Sequence, residues 1–475
     1  MEIIVVGGGT AGYVTALILK EKFREQANIK IIKSKDIGII GVGEGTTEHW
    51  NDFLKYMNIN PQLMIKECGA TYKAGIMSKG WGEKDYLHSI DCQHDIFKGQ
   101  ENIGNLSLIH NKKRLAHDSV YESQVRASEP RISQFHFDTF KLNTFLQNLA
   151  IKRNIEVIDD IIHQVHTGPK GIASLQSETK TYTANLYIDC TGFKRLLIGK
   201  LGAKWKSYKK YLKVNAAFTF QTPDEENYNL WTLAKAMKFG WRFKIPVQGR
   251  HGNGYIFCDK YTDVETAKVE VEKELGHEIN IAKTFKFDPG RLDKTWIKNC
   301  VAVGLAANFV EPLEATSIGT SIQQAYLLMH NLSSPNGAIR QQYNEQVVSI
   351  MDNIRDFIYL HYLRWHKHNW FWKNFTWENA PPTLKKMLSI WQRRLPLNDD
   401  VKGSDFKLFW GRNYLQVLYG MGMYDYNKEI EKQYNCLSNS YKSMVDHYYK
   451  NIMPQNFSDL VSHKEYIRKL NGIPN

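Results

Sequence analysis

Apolar residues run without interruption through Ile3-Ile4-Val5-Val6 and then give way to Gly7-Gly8-Gly9-Thr10-Ala11-Gly12. Such a run, closed by glycines, predicts a short strand buried on both faces. Past the glycines, Val14, Leu17 and Ile18 recur at helical spacing and predict a helix with one apolar face. Ile29-Lys30-Ile31-Ile32 predicts a second strand, so the chain opens as a β-α-β unit with parallel strands. The loop from Gly38 to Thr47 is too glycine-rich for regular structure, and such backbone can approach a ligand closely.

Leu186-Tyr187-Ile188-Asp189 and Cys300-Val301-Ala302-Val303 predict later strands of the same lobe, while Val214–Phe220 predicts a strand of a separate, substrate-facing sheet. After Thr316, the positions Ile318, Ile322, Ala325, Met329 and Leu332 predict a helix that Ser333-Ser334-Pro335-Asn336-Gly337 ends. From about residue 340 the pattern is helical and aromatic, broken at Pro381-Pro382. The expected fold is therefore α/β. A Rossmann-like nucleotide-binding lobe with a mixed sheet covers residues 1–335, including the inserted substrate-facing sheet, and a largely α-helical substrate-binding lobe covers 336–475.

Composition refines this picture without changing it. A chain of 475 residues that is 43% hydrophobic can bury a large core, and its 12 Trp and 25 Tyr suit planar ligands, although most rings must simply fill that core. The net charge of +13 is spread along the chain without a basic tail, so attraction of phosphates and small anions is expected rather than nucleic-acid binding. Six scattered cysteines with no Cys-x-x-Cys argue for a reducing compartment and against a structural zinc site. Met1 leads almost directly into the first strand and no apolar run spans a membrane, so neither a signal peptide nor a membrane is expected, and the location is read as cytoplasmic.

Three segments carry candidate chemistry. Gly7, Gly9 and Gly12 match Gly-x-Gly-x-x-Gly between a strand and a helix, where glycines allow the turn, pyrophosphate approach and close helix packing. Lys33-Ser34-Lys35 stands where a ribose-binding acid is usual, with Asp36 as a substitute. The second glycine-rich loop, Gly41 to Gly45, can embrace an isoalloxazine, which favours FAD over NAD.

The second segment is Glu311-Pro312-Leu313-Glu314-Ala315-Thr316-Ser317. Pro312 forbids an ordinary helix interior, Thr316 or Ser317 can cap the helix that follows, and free N–H groups there can hold an anion. Glu314 is either a capping acid or a catalytic carboxylate. The third is Lys73, an isolated cation between Tyr72 and Ala74-Gly75-Ile76; it is either solvated or salt-bridged, or desolvated into a nucleophile.

Taken together, these segments make the chain resemble the flavin-dependent halogenases of the tryptophan halogenase family. The likeness runs through the glycine turn, Gly41-Val42-Gly43-Glu44-Gly45-Thr46, Ala70-Thr71-Tyr72-Lys73, Asp189-Cys190-Thr191-Gly192-Phe193, Gly240–Pro246, Phe309–Glu314 and Asp356–Tyr362. The resemblance implies that reduced FAD (FADH2) and O2 oxidise a halide to hypohalous acid, which travels through a tunnel to the lysine matched by Lys73. Glu314 matches the catalytic glutamate, which polarises the halogen donor or removes the ring proton. Gly7, Gly9, Thr10, Ala11, Gly12, Val42, Gly43, Glu44, Gly45 and Leu305 match cofactor contacts. Thr316 and Ser317 match the halide pair, and Trp241, Phe243, Ile245 and Pro246 match the tunnel and flavin face. A separate flavin reductase and a small aromatic substrate are implied partners, and a homo-oligomer is open.

Departures from the family pattern point to a particular substrate class. Phe243 replaces the second Trp of Trp-x-Trp-x-Ile-Pro, Ala315 and Ser317 alter Glu-Ser-Thr-Gly, and the ring clamp of the tryptophan enzymes is not reproduced near Asp85-Tyr86-Leu87-His88. An electron-rich arene other than free tryptophan is expected, with bromide or iodide in preference to chloride. The rival readings are a flavin-dependent aromatic monooxygenase, an RNA-binding flavoprotein and an inactive flavin-binding protein.

Overall fold

The strand Glu2–Val6 sits in the middle of a six-stranded sheet ordered Trp296–Ile297, Cys300–Ala302, Leu186–Asp189, Glu2–Val6, Asn28–Lys33, Glu156–Asp159. All neighbours are parallel except the edge pair formed by Trp296–Ile297 and Cys300–Ala302. This is the open α/β arrangement in which ligands bind beyond the carboxyl ends of the strands. A computed structural model of the chain describes residues 1–38, 44–89, 101–128, 132, 134–363, 370–452 and 459–473.

Helix Thr10–Phe23 exceeds its expected single apolar face. Every residue from Gly12 to Leu19 is buried, because the helix is enclosed by the sheet, by helix Thr139–Lys152 and by helix Thr316–Asn331. Three-sided burial calls for apolar residues all round rather than a stripe. The predicted strands at 29–32, 186–189 and 300–302 all belong to this sheet. Val214–Phe220 was placed slightly early, the strand being Ala216–Pro223.

That strand belongs to a seven-stranded sheet, ordered Lys283–Lys286, Ala216–Pro223, Arg250–Phe257, Gly240–Val247, Trp231–Met237, Gly75–Lys79, Tyr86–Ser89. A small third sheet joins Glu44–Gly45, Gln134–Phe137 and Thr71–Lys73 in antiparallel register. Helices Gly337–Tyr362, Pro382–Trp391 and Gly411–Gly420 dominate the later chain, and strand Leu460–Ser462 returns to pair with Gln124–Arg126.

Two large apolar cores result. One joins Ile3, Val5, Ile29 and Ile31 to Ile318, Ile322 and Leu328. The other joins Trp241, Ile245 and Ile256 of the seven-stranded sheet to Ile354, Phe357, Leu415 and Leu418 of the helices. The chain passes between them at several places, and two bear on the site: Val310 and Leu313 lie in the second core and Ile318 in the first, while Ala74 lies in the first and Ile76 in the second. Glu314 lies within the former passage and Lys73 just ahead of the latter. Among the described residues no helix is long and apolar enough to cross a membrane.

Candidate active site

At the glycine turn, Gly7 has φ +123° and a Cβ there would lie 2.2 Å from the Cys190 carbonyl oxygen. A Cβ on Gly12 would lie 2.0 Å from the Gly7 carbonyl oxygen, so helix and turn touch through hydrogens alone. Gly9 meets nothing within 4 Å, and it caps a helix with no side-chain cap and no acid in its first turn. An open glycine before uncapped N–H groups fits a pyrophosphate. Asn143 holds the turn by donating Nδ2 to the Gly8 carbonyl (2.8 Å), and Asp189 pins the loop beside it by accepting from the Thr191, Leu197 and Ile198 N–H groups.

Thr10 and Ala11 begin the helix, and the turn Gly304–Ala306, which carries Leu305, comes against Ala11: a Cβ on Gly304 would lie 2.7 Å from the Ala11 Cβ. Asp36 is exposed on the turn after the second strand. Val42 and Gly43 lie outside the described residues. Just past them Glu44 has one carboxyl oxygen, Oε2, buried without a partner, and burial pushes its carboxyl up to about 7. An orphaned acceptor at Glu44, together with the open Gly9, makes this set a fit for a flavin dinucleotide.

Lys73 is fully buried (0% exposed), opposite Gln134 in the small sheet. Its Nζ donates to the Thr46 carbonyl at 2.6 Å, an oxygen that also accepts from the Gln134 amide at 3.0 Å. Burial lowers the amine to about 8, with Glu314 opposing the shift. The solvated or salt-bridged alternative for Lys73 therefore falls. Gly45 packs closely at this point: a Cβ there would lie 3.2 Å from Lys73 Nζ and 3.5 Å from the Ala315 Cβ. Gly319 takes up the same crowding on the helix side, where a Cβ would lie 2.5 Å from Thr47 Oγ1.

Glu314 is buried, with φ 67°, and Ala315 follows with φ 53°. Two successive non-glycine residues in the left-handed region cost roughly 1–2 kcal/mol each. The expected cap at Thr316 or Ser317 is not made. Ala315 is the N-cap residue without a side-chain hydrogen bond, Thr316 is buried as the first helical residue, and Ser317 is exposed. The left-handed turn brings the helix start directly after Ala315, which leaves both hydroxyl-bearing residues inside the first turn and its N–H groups without a side-chain cap.

Glu314 is no capping acid either. Its Oε2 accepts from His88 Nδ1 at 2.6 Å, and His361 Nε2 lies 3.2 Å from Oε1, off the ideal hydrogen-bond direction. Burial alone would raise this carboxyl, but His88 and then His361 outweigh it and hold it well below the ordinary carboxylate range.

Three residues earlier the opposite holds. Glu311 Oε1 accepts from Trp241 Nε1 (2.9 Å) and the Tyr362 hydroxyl (2.5 Å), Oε2 has no partner, and burial pushes the carboxyl up to about 8. Trp241 and Phe243 pack together in the second core, and Phe243 fills space that a Cβ on Gly254 would enter. Ile245 is buried there too, and the Pro246 carbonyl accepts from Thr71 Oγ1 at 2.8 Å, tying this strand to the lysine's.

Sequence reasoning did not find His88, His361, Tyr86 or Asn413 as site residues. Asn413 Nδ2 lies 3.1 Å from His88 Nε2, and the Tyr86 hydroxyl 2.9 Å from His361 Nδ1. They come from a sheet edge and two distant helices, so no spacing joins them; the clustering of His361 with Tyr362 in a buried helical stretch was the one available signal.

The chain belongs to the tryptophan halogenase family, whose pattern it matches over residues 2–433. It is 30% identical to a 7-chloro-L-tryptophan 6-halogenase of Kutzneria sp. (strain 744) in an alignment 446 positions long that covers 83% of this chain and 85% of that one. A tryptophan halogenase from Shewanella frigidimarina superposes with a TM-score of 0.89 at 25% identity, covering 100% of this chain and 98% of the other. A flavin-dependent halogenase from Xanthomonas campestris does so with a TM-score of 0.85 at 25% identity, covering 100% and 99%. The chain is accordingly an enzyme of the halogenase class with the α/β fold of its relatives.

Proposed function

We propose that this enzyme uses FADH2 and O2 to halogenate an electron-rich arene, with hypohalous acid reaching Lys73 and Glu314 taking the ring proton. The observation that supports this best is one fully buried amine and one buried carboxylate brought close enough for the carboxylate to shift the amine's titration, beside Gly45. When bound, reduced flavin and O2 supply the oxidation that converts halide to hypohalous acid. Gly7, Gly9, Thr10, Ala11 and Gly12 would hold the pyrophosphate, and Glu44, Gly45 and Leu305 would flank the ring system, with Val42 and Gly43 of the strap. Thr316 and Ser317, at the uncapped helix start, would hold the halide, and Trp241, Phe243, Ile245 and Pro246 would wall the route to the lysine.

Neutral Lys73 attacks the halogen of hypohalous acid. The N–halogen bond forms, the O–halogen bond breaks, and hydroxide leaves as water with a proton from nitrogen. The arene then takes the halogen; the bonding pair returns to nitrogen, which regains a proton, and Glu314 accepts the proton that the ring loses. Burial serves this step by keeping the amine neutral in a useful fraction and by keeping water from the oxidant.

The substrate is proposed to be an arene other than free tryptophan, because the ring clamp is not reproduced and His88 is engaged by Glu314. The Ala315 and Ser317 replacements favour bromide or iodide, which are easier to oxidise than chloride. The helical part from residue 336 onward would shape the arene pocket, and a separate reductase would supply FADH2.

Mass spectrometry of an arene panel with FADH2, O2 and each halide tests this reading. Halogenated product is expected, falling at least about 10³-fold in Lys73→Ala. Absence of product with every halide overturns it, and a hydroxylated product that survives Lys73→Ala identifies a monooxygenase instead.

A further inference from the structure

We propose that His88 and His361 are positioning residues which clamp Glu314 as an aimed, ionised carboxylate, His88 by a hydrogen bond to Oε2 and His361 from the side of Oε1. This deepens the halogenase reading and rests on it for the role of Glu314.

The hydrogen-bond network fixes the tautomer of His88, and that of His361 is assigned with the proposal. Asn413 Oδ1 accepts from the Trp410 N–H at 2.7 Å, so its Nδ2 is the atom that faces His88 Nε2 at 3.1 Å. Nε2 must therefore carry the lone pair, and Nδ1–H points at Glu314 Oε2, 2.6 Å away. On the other side, the Tyr86 hydroxyl lies 2.9 Å from His361 Nδ1. Its hydrogen given to Nδ1 leaves Nε2–H facing Glu314 Oε1 at 3.2 Å.

Both rings are wedged edge-on against Phe357, at 5.3 and 5.1 Å between centroids. The clamp draws on three elements, the sheet edge Tyr86–Ser89, helix Gly337–Tyr362 and helix Gly411–Gly420, which Ser89–Gln416 and Asn353–Tyr414 hydrogen bonds also hold together.

The arrangement has a chemical purpose. A carboxyl buried this deeply takes up a proton unless its surroundings favour the charge, as Glu311 does three residues away even with Trp241 and Tyr362 donating to it. A base for a ring proton must instead remain ionised, and an imidazole beside each oxygen favours the charged form, His88 most strongly. The titratable groups facing Glu314 are Lys73 from strand Thr71–Lys73, Tyr86 and His88 from the sheet edge, and His361 from the long helix. Glu311 is turned to Trp241 and Tyr362.

Two measurements on the flavin-loaded enzyme test the clamp. In nitrogen-15 histidine spectra at pH 7, with the two signals identified by His88→Asn and His361→Gln, His88 is expected as the Nδ1–H tautomer and His361 as the Nε2–H tautomer. An imidazolium or the opposite tautomer at either ring overturns the proposal.

In the second, His361→Leu is expected to lower kcat by about 10²-fold with the arene KM nearly unchanged, and to move the acid limb of the pH profile upward. His361→Gln, which keeps a donor near the Nε2 position, is expected to recover at least about tenfold of that. Flavin binding in each variant reports that it is folded. Equal loss in Leu and Gln variants with an unmoved acid limb, or no loss in either, overturns the clamp. If wild-type enzyme makes no halogenated product, the functional reading fails, and the spectra still decide the clamp.

Discussion

Two turns in this molecule use the left-handed backbone region, and they are filled in opposite ways. At Gly7 the chain turns with φ +123° on a glycine, as steric chemistry prefers. At Glu314 and Ala315 it turns with φ 67° and 53° on residues that carry side chains. On the proposed reading the first turn would bind phosphate through backbone N–H groups, so its side chains can be deleted and the strain removed with them. The carboxylate turn would work through the side chain itself. Glutamate has to stay, and the fold has to hold the strain in place by packing Leu313 into one core and Ile318 into the other.

The hardest way to break the first turn is Gly12→Ala. Its Cβ would lie 2.0 Å from the Gly7 carbonyl oxygen, and neither the helix nor the strand behind it can give way, because both are buried on every side. Weaker FAD binding by at least about 10²-fold is expected, roughly 2.7 kcal/mol or more, measured by flavin fluorescence titration. Unchanged flavin affinity would remove the turn from the cofactor site.

A milder test bears on the second region. Lys73 is lowered to about 8 by burial, so its neutral form is the minor one at pH 7 and dominant at pH 9. If the neutral amine carries the halogen, kcat rises by roughly fivefold to tenfold across that interval, with a limb near 8. Activity that falls over the same range would mean that the ammonium form acts, as a hydrogen-bond donor to hypohalous acid. Glu311 is also pushed to about 8, so the profile is to be repeated in Glu311→Gln; a limb that persists there belongs to the lysine.

The same contrast explains what could be read without coordinates. The glycine turn is local: Ile3–Val6, three glycines and a helix are contiguous, so strand, turn and parallel partner were all legible from spacing. Lys73 and Glu314 stood out only weakly by their own settings, and it was the resemblance of the surrounding segments to the halogenases that raised them as catalytic candidates. What the acid does was not legible. Local rules allowed a capping role, and capping by Thr316 or Ser317, and both failed because the left-handed turn at Ala315 starts the helix one step earlier. His88, His361 and Asn413 reach Glu314 only through tertiary packing, and long-range pairing of that kind leaves no periodic trace.

The smallest expected effect separates the backbone from the clamp. Ala315 has φ 53° and ψ 40°, where a non-glycine residue costs roughly 1–2 kcal/mol. Ala315→Gly relieves that strain but adds about 0.5–1 kcal/mol of chain entropy lost on folding. A net stabilisation of about 0.5 kcal/mol is therefore expected by denaturant unfolding. Its value lies in the accompanying turnover. Glycine frees the backbone beside Glu314, yet both carboxylate oxygens still face His88 and His361. If the imidazoles aim the carboxylate, kcat stays within about twofold of the parent. A tenfold fall at unchanged or higher stability would mean that the strained turn, rather than the two histidines, sets the direction of the base, and the strain would then belong to catalysis rather than merely accompany it.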